Sequence, residues 1–371
     1  MQVVCPENVA QLQDALREAQ QTGTPLEVRG AGTKLRQAGP LPTSGWQLET
    51  KKLNRVLAYD PRDLTISVEA GLPWRDLEAL LAEKGQMVAL NPGFTSAATV
   101  GGVLAANTSG SWRRLYGTAR DLTIGLKFAT LNGRLVESGG MVVKNVAGLD
   151  FAKLMIGSFG TLGVIATANF KLMPKPPEFA LFLLQGELRE IFAQRNTILQ
   201  SVLQPLSLDV LNPTAAQRLG LAPAWTLLVE AAGSTNVIAR YRRELSGFAE
   251  APVAIGPALR EFTSNYLADH PHGFVVRRST RLQEMEALLQ TTPPVEAVLA
   301  RAGNGVTYQH TPEGPIVPPA GKAVVDFSPS ARPPAEVLWP APGEDFFLME
   351  RIKGLFDPAR LLNPWRLYAR L

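Results

Sequence analysis

The chain has 371 residues, with 37 Lys and Arg against 33 Asp and Glu and a single cysteine. That length exceeds what one hydrophobic core ordinarily supports, so two domains are expected. One cysteine, Cys5, excludes an intrachain disulfide and a cysteine-rich zinc or iron–sulfur site within the chain, and a net charge of +4 without a basic run argues against nucleic acid as a partner.

Taken in chain order, Val9, Leu12, Leu16 and Ala19 recur at helical spacing before Gly23, which predicts an amphipathic helix over 6–22. Pro25 to Gly30 reads as a short strand, and Trp46 to Leu57 as another strand region. Leu64 to Glu69 alternates apolar and polar, the pattern of a half-buried strand. Pro73 opens a helix with Leu77, Leu80 and Leu81 on its apolar face, closed by Gly85. Two β-rich runs, 124–131 and 134–138, flank Asn132-Gly133 and predict a hairpin. Residues 162–172 read as a strand.

Three prolines within Pro174–Pro177 cannot continue a helix or a central strand and mark a boundary. Beyond it, helices are expected over 187–203 and 235–250 and strands over 180–185 and 226–231. Nine prolines between Pro312 and Pro342 read as an extended loop. The tail starts as a helix at Phe346. The fold class is α+β, because the regular strand–helix alternation of a doubly wound sheet is missing.

Four glycine-rich segments stand out: Arg29-Gly30-Ala31-Gly32-Thr33; Asn91-Pro92-Gly93 with Thr99-Val100-Gly101-Gly102 and Asn107-Thr108-Ser109-Gly110; Lys144-Asn145-Val146-Ala147-Gly148-Leu149-Asp150; and Gly157-Ser158-Phe159-Gly160-Thr161-Leu162-Gly163. Glycine lets successive N–H groups converge on an anion, and several such segments suit one long anionic ligand, a dinucleotide. Residues 1–173 carry 18 basic and 14 acidic side chains, against 19 and 19 in the remainder, so the positive excess lies in the glycine-rich half. Neither common phosphate motif fits. Gly30-Ala31-Gly32-Thr33-Lys34 lacks the Walker A spacing, and Leu35 stands where a Rossmann fingerprint needs its third glycine.

In this order, and with Tyr116-Gly117, Asp121, Phe356-Asp357-Pro358 and Leu362-Asn363-Pro364, these segments resemble the PCMH-type FAD-binding domain. That domain is shared by vanillyl-alcohol oxidase, the bacterial D-lactate and glycolate dehydrogenases and the peptidoglycan-precursor reductase. Within that superfamily, Lys144 to Asp150, the chain length and the cap sequence are most similar to the FAD-binding subunits of the bacterial glycolate oxidase complex, the smaller E subunit in particular. The resemblance implies a two-subdomain FAD-binding domain over 1–175, an α+β cap for substrate or partner over 176–340, and a segment over 341–371 that packs back on the first domain. It implies oxidation of glycolate to glyoxylate, or relay of its electrons, beside a larger flavoprotein subunit and an iron–sulfur subunit. A stand-alone dehydrogenase of another small hydroxy acid and a non-catalytic assembly subunit are the alternatives. No apolar run reaches the roughly 18 residues of a membrane span, and Met1 to Pro6 lacks the features of a signal peptide. A cytoplasmic protein is expected, with any membrane association made through partner subunits.

The resemblance also assigns roles. Gly30, Ala31, Gly32, Thr33 and Lys34, with Arg29 shaping the loop, would wrap the pyrophosphate. Pro92, Gly93, Val100, Gly101 and Gly102 would approach the pyrophosphate and the flavin edge, and Asn107, Ser109 and Gly110 would line the isoalloxazine. Lys144, Gly148, Gly157, Ser158, Thr161, Gly163 and Ile165 would surround the ribose and adenine, and Asn363 would contact the ring from the tail. Relatives with covalent flavin carry a histidine where Thr33 stands, and the first histidine in this chain is His270, so the FAD is expected to be non-covalent. The family's H-x-G-D-G-N cap motif is reduced here to Arg301-Ala302-Gly303-Asn304-Gly305. His310 is the remaining histidine candidate for a base, and Arg301 or Arg277 the candidate for a substrate carboxylate. His270-Pro271-His272 reads as a surface turn and no metal site is expected. Cys5 reads as inert, and Trp339 and Trp365 as packing anchors.

Overall fold

The computed structural model describes residues 1–141, 150–293, 296–314, 322–329 and 335–371; Lys144 and Gly148 lie outside the described residues. The first helix, Val9–Thr22, begins where the Asn8 side chain accepts the Gln11 amide and stops at Gly23, whose φ is +66°. Leu12, Leu16 and Ala19 are fully buried. They pack in one cluster with Leu26 and Leu48 of the parallel strands Leu26–Arg29 and Trp46–Glu49. The strand Gln2–Val4 lies on the other side of Trp46–Glu49. Each of these leucines contributes about 1.5–3 kcal/mol by leaving water.

A five-stranded antiparallel sheet follows, in the spatial order Val56–Asp60, Thr65–Glu69, Val164–Lys171, Thr123–Ala129, Leu135–Gly139. The last two strands form the expected hairpin, turning at Gly133 with φ +73°. Thr65–Glu69 is buried along its whole length, not on one face only. Ile66 and Val68 join Trp74, Leu77, Phe128 and Phe170 in the core. On this strand Glu69 is covered as well, its carboxylate holding the Arg55 amide and guanidinium at 2.8 Å each. One glycine segment is a helix, Val100–Ala105, capped by Thr99. A Cβ on Gly101 would stand 2.8 Å from the Cβ of Ala70, so glycine here permits close packing of the helix.

From Glu178 onward the chain builds an antiparallel sheet of eight strands among the described residues. Its spatial order is 249–250, 178–186, 225–233, 207–211, 297–301, 306–311, 274–279, 323–327. Buried residues on these strands fall into separate clusters, one with Phe192 and Ile238, another with Phe262 and Tyr266. The helices expected over 187–203 and 235–250 are Leu188–Gln200 and Thr235–Glu244. The strands holding Arg277, Arg278 and Arg301 were not legible in the sequence, because arginines interrupt the alternation that marks a strand. No helix among the described residues is long and apolar enough to cross a membrane.

The tail returns to the first sheet. Leu26 N donates to Leu361 O at 2.7 Å, and Asn363 N to Leu26 O at 2.9 Å. Lys353, on the helix Phe346–Phe356, is 1% exposed; its Nζ reaches Asp357 at 2.6 Å, Thr161 O at 2.7 Å and Leu362 O at 3.0 Å. Asp357 also accepts the Leu361 amide on Oδ1 and the Leu362 amide on Oδ2. Removing one partner of such a buried pair strands the other charge. Asp357→Ala is therefore expected to lower unfolding free energy by about 3–5 kcal/mol, and Lys353→Met with Asp357→Leu to lower it less than Asp357→Ala alone; urea denaturation of the three chains checks the order.

Candidate functional site

The strand Leu26–Arg29 runs into a loop, Gly30 to Leu35, that forms one wall of a cleft of about 740 Å³. The amides of Ala31, Gly32, Thr33 and Lys34 donate to no acceptor among the described residues. The loop's carbonyls are held from behind: the Arg366 guanidinium donates to Lys34 O at 2.8 Å and Leu35 O at 3.2 Å. Gly30 is required because a Cβ there would fall 2.0 Å from Thr99 Oγ1, and Gly32 because its φ is +78°. Gly101, Gly102, Gly160, Gly163 and Ile165 line the cleft with it.

The cleft opens into a second chamber of about 1250 Å³, and the two share Lys34, Ala106 and Phe159. Gly93, Asn107, Ser109, Gly110 and Gly157 line the chamber from the first domain, and Arg277, Arg301, Tyr308 and Asp326 from the eight-stranded sheet. Gly110 has φ +70°, and a Cβ on it would meet Asn91 O at 1.6 Å. Hydrogen bonds tie the two sides together beside the chamber. Glu261 accepts the Phe94 amide (2.8 Å), the Thr95 amide (3.0 Å) and the Thr95 hydroxyl (2.6 Å). Burial opposes ionisation of Glu261, but those hydrogen bonds outweigh it and hold its carboxyl below the usual range. Arg260 donates to Pro92 O at 2.9 Å and pairs with Glu78 at 2.6 Å.

Besides Lys34 and Arg260, three guanidinium groups line the chamber from different elements. Arg301 is fixed by Asp209 at 2.9 Å, and burial pushes the Asp209 carboxyl upward. Arg277 stands 4.0 Å from Asp326, which also accepts Gln37 Nε2 at 2.9 Å. Arg113 is exposed and makes no ion pair among the described residues. Tyr308 is between them in the electrostatic sense, feeling Arg301, Arg277 and Arg113, while burial raises its phenol above the ordinary value.

Several expectations are corrected by where the side chains go. Arg29 lines the cleft but its guanidinium is spent on Glu49 (2.6 Å), Gln47 (2.8 Å) and Glu27 (3.1 Å), so it shapes the loop and leaves the anion to the amides. Asn363 lines the cleft too, yet its Oδ1 accepts from Val28 N (2.7 Å) and its Nδ2 donates to Val28 O (3.2 Å) and Phe159 O (2.6 Å), so both its donors are spent on backbone. Lys34 sends its side chain into the chamber instead of along the cleft. His310 is fully buried and lines neither space; one ring nitrogen faces Ala297 O at 3.1 Å and the other Thr263 Oγ1 at 3.0 Å. Burial pushes its pKa down to about 4, so it is no base for the chamber.

Pro92, Val100, Ser158 and Thr161 line neither space either. Val100 is core, Thr161 donates its hydroxyl to Ser158 O, and the buried Ser158 hydroxyl has no partner among the described residues. His270 stacks on Tyr266 at 4.3 Å, and Trp339 on Tyr368 at 5.3 Å. Phe94, Arg113, Asp326 and Phe327 were missed. Only Arg113, in a basic pair just after Gly110, carried a sequence signal.

The cleft suits a dinucleotide: four free consecutive amides for phosphate, a glycine-and-alanine wall for close approach, and a wider polar chamber beyond. Comparison with known proteins names it. The family described as an FAD binding domain matches residues 1–139. Glycolate oxidase subunit GlcE of Escherichia coli is 32% identical over 53% of this chain and 55% of its own length. Subunit GlcD of Bacillus subtilis is 32% identical over 57% of this chain and 45% of its own. This chain thus spans about half the length of these two relatives. A D-lactate dehydrogenase of Archaeoglobus fulgidus is 26% identical over 100% of this chain and 91% of its own length. In fold, p-cresol methylhydroxylase superposes with a TM-score of 0.74 at 15% identity, covering 99% of this chain and 88% of its own.

Two outcomes follow. Gly30→Ala forces the loop away from Thr99 and is expected to weaken FAD binding by about tenfold or more, some 1.4 kcal/mol, measured by quenching of flavin fluorescence. His310 is depressed from 6.5 to about 4 in the fold, so the unfolded chain binds its proton first. The stabilisation is complete above pH 6.5 and is lost as pH falls toward 4, up to about 3 kcal/mol. His310→Asn should flatten that part of the stability–pH curve relative to the parent.

Proposed function

From a chain that carries the PCMH-type FAD-binding domain, with FAD its cofactor, we infer an FAD-dependent oxidoreductase that converts a small 2-hydroxy acid, glycolate, to its oxo acid, glyoxylate. It works beside a larger flavoprotein subunit and an iron–sulfur subunit. The observation that carries this reading is the continuous passage from an amide-lined cleft into a chamber lined by four guanidinium groups. The subunit names of two relatives, GlcD and GlcE, support the assembly.

FAD bound in the cleft supplies the acceptor for a hydride from the hydroxyl-bearing carbon. The chain's own part is to bind and orient. Arg301 and Arg277 offer planar forks to the substrate carboxylate, and Asp209 keeps Arg301 from swinging away. Tyr308, whose raised pKa keeps it protonated at neutral pH, donates a hydrogen bond into the chamber. Glu261 and Arg260 fasten the two sides of the chamber together. Thr33 offers no nucleophile of the kind that links flavin, which favours non-covalent cofactor.

A second reading, a self-sufficient dehydrogenase, is favoured by the similarity to the D-lactate dehydrogenase along the whole of this chain. The visible spectrum of the FAD-loaded chain, before and after anaerobic glycolate or D-lactate, tests both. Bleaching by glycolate alone supports the first, bleaching by D-lactate the second, and a flavin unaffected by either until the partner subunits are added assigns this chain a relay role. Arg301→Met is expected to raise KM for the hydroxy acid about tenfold to a hundredfold, the worth of one charged hydrogen bond of about 1.5–3 kcal/mol, while FAD affinity stays unchanged.

A further inference from the structure

Lys34 is the single titratable residue that lines both the cleft and the chamber among the described residues. Its backbone is clamped: its carbonyl accepts from Arg366 Nη2 at 2.8 Å and from the Gln37 amide at 3.0 Å. The side chain therefore crosses to the chamber, where Nζ rests 3.5 Å from the centroid of Phe94 and 5.6 Å from that of Phe327.

No carboxylate forms an ion pair with Nζ among the described residues. The acids in its field are committed elsewhere: Asp326 to Gln37 and Arg277, Glu261 to Thr95, Ser264 and the Phe94 amide. The remaining charged or titratable groups that line the chamber are Arg113, Arg260, Arg277, Arg301 and Tyr308. Of these, four are guanidiniums, which do not give up a proton, and the phenol is driven upward by burial.

We propose that Lys34 is the catalytic base of the hydroxy-acid oxidation inferred above, its amine taking the substrate's hydroxyl proton at the mouth of the cofactor cleft. The proposal rests on that reading of the reaction. The carbon-bound hydrogen leaves with its electron pair to the oxidised flavin, the O–H proton passes to Nζ, and the C–O bond becomes C=O. The products are the oxo acid, two-electron-reduced flavin and a Lys34 ammonium, which returns its proton to solvent before the next turnover. Burial, which outweighs the attraction of Asp326 and Glu261, pushes the amine down to about 7. A lysine at 10.5 would be uncharged in only about one molecule in three thousand at pH 7; here a large fraction is ready to accept a proton.

Lys34→Arg separates a base from a fixed charge, because guanidinium keeps the charge and cannot accept a proton at neutral pH. Three readouts are needed: FAD affinity by fluorescence, the rate of anaerobic flavin bleaching by glycolate or D-lactate across pH 5.5–9, about the span that brackets a group titrating near 7, and the Lys34 titration in the flavin-free chain by NMR, with Lys34→Arg identifying the resonance. The expected result is a Lys34 midpoint near 7, a parental bleaching rate that rises through the same pH, and a Lys34→Arg chain that binds FAD yet bleaches about a hundredfold or more slowly without that rise. Partial rescue of Lys34→Ala by added methylamine is also expected.

A Lys34→Arg chain that bleaches like the parent with the same pH profile overturns the role, as does a Lys34 midpoint near 10. If Lys34→Arg cannot hold FAD, the Lys34→Ala chain with and without methylamine decides. A parental flavin that no 2-hydroxy acid bleaches, alone or with partner subunits, overturns the inferred reaction itself and this role with it.

Discussion

Which way the first glycine loop faces is decided at the far end of the chain. A loop has as many carbonyls as amides, and it binds an anion only if the carbonyls are turned aside. Arg366 gathers the carbonyls of Lys34, Leu35 and Gly39 on one side, and the amides of residues 31–34 are left for the other. Arg366 is in place because Asn363 stitches the tail to Val28 and Phe159, and because the Lys353–Asp357 pair is sealed beneath it. Gly160 must be glycine for the same reason, since a Cβ there would press within 2.8 Å of Asn363 Nδ2. The cleft is thus a property of three distant segments, not of a motif.

The second chamber is built on a different principle. Its cations project from elements that the antiparallel sheet holds rigid, and most have an acid set behind or beside them: Asp209 with Arg301, Asp326 with Arg277, Glu78 with Arg260. The acids fix the forks in place and reduce the cost of placing positive groups together before a substrate arrives. Lys34 and Arg113 form no ion pair among the described residues, and they come from the cofactor-binding side. The eight-stranded sheet therefore presents ion-paired cations to the space, and the segments before it present less neutralised charge.

Arg36 and Gln37 show how closely the two spaces are coupled. Directly after the glycine loop, Arg36 donates to Ser328 O, Leu267 O and Gly273 O, and Gln37 reaches Asp326. The same short segment thus ties the loop to the edge strand Ala323–Phe327 that carries Asp326.

The sequence by itself determined the local devices. The Asn8 cap, the Gly23 stop, the hairpin at Gly133 and the need for glycine at 32 each follow from backbone conformation over a few residues, which a few residues suffice to specify, whereas glycine at 30 is demanded by Thr99, brought beside it by folding. The order of glycine segments was enough to mark an FAD-binding domain. Tertiary structure alone decided what each side chain does there. Arg29 turned to its own glutamates, Asn363 to backbone, His310 to the interior, and Lys34 to the chamber, while the strand 297–301 is paired on one side by residues 88 and 90 positions away. A φ angle is a local property of the chain; the partner of a charged or amide group is fixed by what folding brings beside it, and no spacing of residues encodes that.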